Sequence, residues 1–156
     1  MRRTSVLLVA IALVLAMVGA PAAAASPPTP AAGTITWVSF AFDEPRLAGP
    51  IVFLTGSESS VWTGTFAGTA VDTFHAVVLT NGAVGGQFWL TLSGADGTLQ
   101  MNITLWERPD ASGGKWVITS STGEFAGLRG QGTWKITGGT ETETFAEYSG
   151  KVQHTA

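Results

Sequence analysis

The sequence predicts an all-β fold: a single antiparallel β-barrel of eight strands, or nine, behind an N-terminal export signal. Three observations carry that expectation. The chain holds twenty glycines and no cysteine. Past residue 33 its apolar residues alternate with the period of half-buried strands, and no stretch keeps the period of an amphipathic helix. Turn signals recur at short intervals, as they do in barrels and sandwiches. Closure of the sheet would remove unpaired strand edges, which matters for a protein that has no disulfide staples.

The first 25 residues stand apart from this pattern. Arg2 and Arg3 open the chain, Val6 to Val18 is apolar and uncharged, and Ala20 to Ala25 offers small-x-small cleavage sites. Residues 1–25 therefore read as a signal peptide of the general secretory type, bacterial in character and cleaved near Ala25. As a helix the apolar run would span only about 20 Å, short of a bilayer core. The expected location is secreted or extracytoplasmic, with no membrane contact after cleavage. Residues 26–33 (SPPTPAAG) read as a proline-rich spacer, and 34–153 as the barrel domain. Two of the eight basic residues leave with the signal, so six face eleven acidic ones, a net charge of −5. A domain of that sign carries no footprint for nucleic acid.

In chain order, strands are expected at Thr34–Phe42, Ile51–Thr55, Val61–Phe66, Thr69–Leu79, Gln87–Ser93, Thr98–Trp106, Lys115–Ser121, Gly132–Thr137 and Thr144–Val152. Asp43-Glu44-Pro45 and Gly94-Ala95-Asp96-Gly97 read as turns, Asn81-Gly82 as a tight hairpin, and Pro109 to Gly114 as a polar loop. The chain is most distinctive from Thr122 to Trp134, where Gly123, Gly127, Gly130 and Gly132 form a structural glycine corner between two strands. Such clusters mark sharp turns or close backbone approach. A shorter echo, Thr63-Gly64-Thr65-Phe66-Ala67-Gly68, matches Thr122-Gly123-Glu124-Phe125-Ala126-Gly127 at five of six positions. Convergent corner chemistry explains the match better than duplication.

The corner resembles the glycine-phenylalanine corner of the allene oxide cyclase and dirigent barrels. It is closer still to a bacterial family of unknown function with the same barrel, in which a similar Phe-Ala-Gly-Leu-Arg-Gly run precedes the last strands. The resemblance is strongest from Gly123 to Gly132 and extends loosely from Ile51 to Val152. It implies an eight-stranded barrel with a central cavity. The plant proteins steer reactive intermediates with polar cavity side chains, but outside the corner no such position can be matched, so no catalytic residue is carried over.

The residues themselves point to few chemistries. The two histidines are His75, in mid-strand, and His154, near the end of the chain. Asp72 lies three residues from His75 and so on the opposite strand face, which removes it as a partner. No metal site, nucleophile elbow, phosphate loop or cofactor motif is supported. By parity His75 and Tyr148 are inward candidates. Arg129 reads as a structural partner of Glu124 or of barrel-end carbonyls. Glu141, Glu143 and Glu147 share one solvated face. Six tryptophans, Trp37, Trp62, Trp89, Trp106, Trp116 and Trp134, exceed what a filled core of this size needs, and some are expected to line a pocket. The candidate cavity or mouth residues are Trp62, His75, Trp89, Trp106, Arg129 and Tyr148.

The leading functional expectation is a secreted, non-enzymatic barrel holding a small hydrophobic ligand, with no cofactor and with homo-oligomerisation left open. One alternative is an isomerase or cyclase of the allene oxide cyclase kind. The other is a structural or adhesive envelope protein with a filled barrel.

Overall fold

Nine strands account for nearly all of the chain that the computed structural model describes, residues 26–108 and 111–155. They are β1 (Thr29–Phe42), β2 (Arg46–Ala48), β3 (Ile51–Trp62), β4 (Gly68–Val78), β5 (Val84–Ser93), β6 (Thr98–Arg108), β7 (Ala111–Ser121), β8 (Leu128–Gly139) and β9 (Thr144–His154). From β3 to β9 each strand pairs antiparallel with the next, and β1 bridges β9 and β3. The sheet closes on itself as an eight-stranded antiparallel barrel. The three-residue β2 pairs with the start of β3 and stands outside the closed ring. The proposed signal peptide lies outside the described residues.

Several strands run further than their sequence pattern suggested. β1 begins at Thr29, inside the stretch expected to be a spacer, and pairs there with β9. Pro30 fits because β1 has ladder partners on both sides only from Ile35 onward, so its missing N–H breaks no pairing. β6 and β7 stay paired to Arg108 and Ala111, through most of the expected polar loop. The largest departure is β3, continuous across Gly56-Ser57-Glu58-Ser59-Ser60, where a loop between two strands was expected. Glu58 and Ser60 point inward, so hydrophobic alternation vanishes although the backbone stays extended. The Asn81-Gly82 turn forms as expected, with Gly82 at φ 77° and its N–H donating to the Leu79 carbonyl at 2.9 Å.

The glycine corner divides into two parts. Gly123 and Gly127, at φ 58° and 75°, make the turn itself, around a short 3-10 segment at Gly123–Phe125. Gly130 and Gly132 instead lie within β8, which begins at Leu128, earlier than expected. A Cβ at Gly132 would strike the Trp116 ring and the Ser149 carbonyl. Arg129 donates to the Thr119 carbonyl at 3.0 Å, while Glu124 accepts from the Asp96 N–H. Of the two expected partners, the carbonyl is the one Arg129 takes.

Antiparallel order gathers the β3–β4, β5–β6 and β7–β8 connections at one end of the barrel, and that end is filled. Phe66 stacks on Tyr148 with ring centroids 5.2 Å apart and meets Trp116 edge-on at 5.3 Å, while Trp62 lies 5.1 Å from Tyr148. The Tyr148 hydroxyl donates to the Thr63 carbonyl at 2.9 Å and accepts from the Phe66 N–H at 2.8 Å. It thereby pins the β3–β4 corner to β9. Tyr148→Phe leaves both backbone groups unpaired and is expected to cost about 1–3 kcal/mol. Urea unfolding with an unchanged midpoint would count against that pinning.

Candidate functional site

The opposite end of the barrel is open. A cavity of about 360 Å³ runs inward from it, walled by Phe74, Phe88, Trp37 and Trp134 and rimmed by Phe40 and Phe42. These rings face inward for simple reasons of register. Phe74 pairs with Phe88 across β4 and β5, and the edge of Phe42 meets Phe74 at 5.5 Å. Trp37 and Trp134 pack against each other at 5.5 Å across the closed sheet.

One buried carboxyl group, Glu58, breaks the apolar lining, and a second, Asp72, lies just behind it. Glu58 on β3 lies at the inner end of the cavity, directly across the ladder from Asp72 on β4. Both are buried, at 6% and 2% exposure. The Trp37 indole Nε1–H donates to Glu58 Oε1 at 2.5 Å. Among the described residues Asp72 finds no donor except the Glu58 carboxyl beside it, with which it can share a proton. A buried, unpaired carboxylate is costly, and a second carboxylate beside it raises that cost, so the pair retains protons that exposed acids would release. Desolvation, offset in part by the Trp37 bond, raises Glu58 to about 7. Desolvation and the adjacent Glu58 charge raise Asp72 to about 9. The two titrate as a unit, and between about pH 7 and pH 9 they hold about one proton between them.

None of the six residues expected at the cavity or its mouth lines this cavity. Trp62 and Tyr148 point inward but belong to the filled end. Trp89 and Trp106 lie on the outer wall, 42% and 47% exposed. His75 is also outside, edge-on to Trp89 at 5.1 Å, which corrects its inward assignment by parity. Arg129 is exposed on the outer wall. The opposite-face relation of His75 and Asp72 does hold, with Asp72 as the inward member. The tryptophans divide three ways: Trp37 and Trp134 at the cavity, Trp62 and Trp116 in the filled end, and the other two outside. Each buried indole N–H has an acceptor: Glu58 for Trp37, Ser60 for Trp62, the Thr133 carbonyl for Trp116 and the Thr104 carbonyl for Trp134.

Sequence reasoning missed the acidic pair because Glu58 lay in an expected loop. A usable signal was nonetheless present. Glu58 and Asp72 are equidistant from Thr65 at the middle of the first glycine corner, so a regular hairpin through that corner must set them opposite each other.

No family model and no curated protein matches the chain. Solved structures do. A protein of unknown function of the DUF3224 family from Shewanella oneidensis MR-1 superposes with a TM-score of 0.56 at 15% identity, over 80% of this chain and 96% of its own. The likeness in fold extends to dirigent proteins. The pterocarpan synthase dirigent protein GePTS1 superposes with a TM-score of 0.52 at 15% identity, over 83% of this chain and 92% of its own. For the pterocarpan synthase dirigent protein PsPTS1 the TM-score is 0.50 at 14% identity, with coverage of 85% and 99%. At these identities the likeness is one of fold, and it agrees with the resemblance carried by the glycine corner.

Proposed function

We propose that this dirigent-like barrel binds a small hydrophobic molecule in the open end of its interior, and that it does so outside the cytoplasm after export. The observation that carries the reading is the cavity itself. Its volume of about 360 Å³ and its aromatic walls suit a compact ring-bearing ligand. Buried side chains fill the other end and the middle of the barrel but leave this end open, which weakens the case for a purely structural protein.

Ala76 lines the cavity wall and is nearly buried, so Ala76→Phe would fill the site from within. Naphthylethanol, a neutral aromatic probe, is expected to change the fluorescence of Trp37 and Trp134 in the wild-type protein. The Ala76→Phe variant should weaken that binding by at least about tenfold, at a stability cost of no more than roughly 1–3 kcal/mol. Equal binding by both proteins would place the probe elsewhere and remove the reading. For export, the mass of the secreted chain should correspond to cleavage near Ala25, whereas an intact N-terminus would refute the signal assignment.

The acidic pair supports a second reading, an isomerase or cyclase acting on an apolar substrate. Glu58 touches the cavity and exchanges its proton near neutrality, as a general acid or base must. In that reading Asp72, behind Glu58, is a positioning residue that sets when Glu58 ionises.

A further inference from the structure

We propose that the cavity takes a hydrophobic organic cation, an ammonium group on an apolar body, with Glu58 as its counter-ion and Asp72 as the carboxyl behind it. The inference deepens the hydrophobic-ligand reading above and rests on it.

The charge inventory of the cavity is one-sided. Among the described residues three ionisable side chains face it or lie just beneath it: Glu58 from β3, Asp72 from β4 and Glu107 from β6. From β1, β5, β8 and β9 only uncharged side chains reach it, among them Trp37, Phe88, Trp134 and Thr144. An anionic ligand would therefore bring a further negative charge into an apolar enclosure with no cation to receive it. A neutral alcohol could share a hydrogen bond with Glu58 but would neutralise nothing. An ammonium group does both, supplying N–H donors and a compensating charge. The aromatic walls add to this, since ring faces attract a desolvated cation.

Asp72 is the second, independent sign. It is 2% exposed, and among the described residues its oxygens have no donor except the proton it shares with Glu58. It borders a small void of about 10 Å³ between Glu58 and Trp134, immediately under the main cavity. A buried acid in that state is either held neutral or compensated by something that enters. A divalent metal ion suits the site poorly, because two carboxyls supply too few oxygen ligands. Among the described residues no three His, Cys, Asp or Glu side chains come together to bind one. With the shared proton still on the pair, one negative charge is present for the ammonium, and binding favours loss of that proton.

Isothermal titration of the mature protein with three probes of one skeleton tests the inference: naphthylethylamine, naphthylethanol and naphthylacetic acid. At about pH 8 the amine is expected to bind at least roughly tenfold more tightly than the alcohol, and the acid more weakly than either. Amine affinity should fall about tenfold or more by pH 5.5 as the pair becomes fully protonated, while that of the alcohol holds. Near pH 7, titrations in buffers of different ionisation enthalpy should show proton release on amine binding only. Glu58→Gln should reduce the amine to the level of the alcohol. If that variant does not fold, the wild-type pH series decides. An alcohol that equals or exceeds the amine, or an amine affinity indifferent to pH, overturns the cation and leaves the hydrophobic site standing. Failure of all three probes removes both.

Discussion

Across the range from about pH 5 to pH 9 the protein is expected to lose several kcal/mol of stability, with the loss assigned to one pair of side chains. In the unfolded chain Glu58 and Asp72 ionise near their ordinary values, 4.5 and 3.8; in the barrel they hold protons to about 7 and about 9. Below both unfolded values the two states are equally protonated, and the contribution is fully present. Between the unfolded and folded values the native state binds more protons, so each rise in pH favours unfolding. The decline ends once the pair has ionised in the folded protein as well. Asp72→Asn removes the like charge and offers Glu58 an amide donor. The variant should therefore be more stable than the wild type at about pH 8, with the difference shrinking or reversing near pH 5. Urea midpoints measured over this range provide the check. A wild-type profile that is flat or rises, or an Asp72→Asn profile of the same slope, would mean that the pair is not held protonated in the barrel.

That result would also explain why the site was harder to read in the sequence than the fold. Strands facing a filled interior announce themselves: Leu99, Met101, Ile103 and Leu105 alternate against Gln100, Asn102 and Thr104, and β6 lies where the pattern puts it. The open half of the barrel does not follow that rule. Inward positions of β3 are Glu58 and Ser60, so the strand carrying the candidate site reads as a polar loop. His75 was misplaced for a related reason. Parity divides a strand into two faces without saying which is inside, and the outward histidine gave no hint that Asp72 was the buried member. The tryptophans illustrate the same limit. Their number suggested a pocket, but Trp37 and Trp134 differ from the exposed Trp89 and Trp106 only through ring closure and register. Binary pattern fixes faces. The identity of the interior comes from the pairing of β1 with β3, a long-range contact between strands of ordinary composition.

Phe66→Ala is expected to be among the most damaging single substitutions, costing about 3–5 kcal/mol. Its ring is fully buried and lies against Trp62, Tyr148 and Trp116, so truncation opens a void among three large aromatic groups held by other hydrogen bonds. Those partners cannot easily collapse into the gap: Tyr148 is tethered to the Thr63 carbonyl, Trp62 to Ser60 and Trp116 to the Thr133 carbonyl. Phe125 occupies the matching place in the second glycine corner, also buried, at 9% exposure. It lies in a short 3-10 turn at the barrel end beside Gly94 and, among the described residues, packs against no other aromatic ring, whereas Phe66 meets three. Phe125→Ala should therefore cost less, at or below the low end of about 3 kcal/mol. Chemical unfolding of the two variants separates these cases. Benzene should restore part of the stability of Phe66→Ala, because an apolar void of that kind stays dry and admits an apolar guest. Equal losses at the two positions, with no rescue by benzene, would mean that the filled end is packed by its corners as a pair rather than around Phe66. The near-identity of the two six-residue runs would then reflect energetic equivalence, although their glycines differ in φ, 90° and 156° against 58° and 75°.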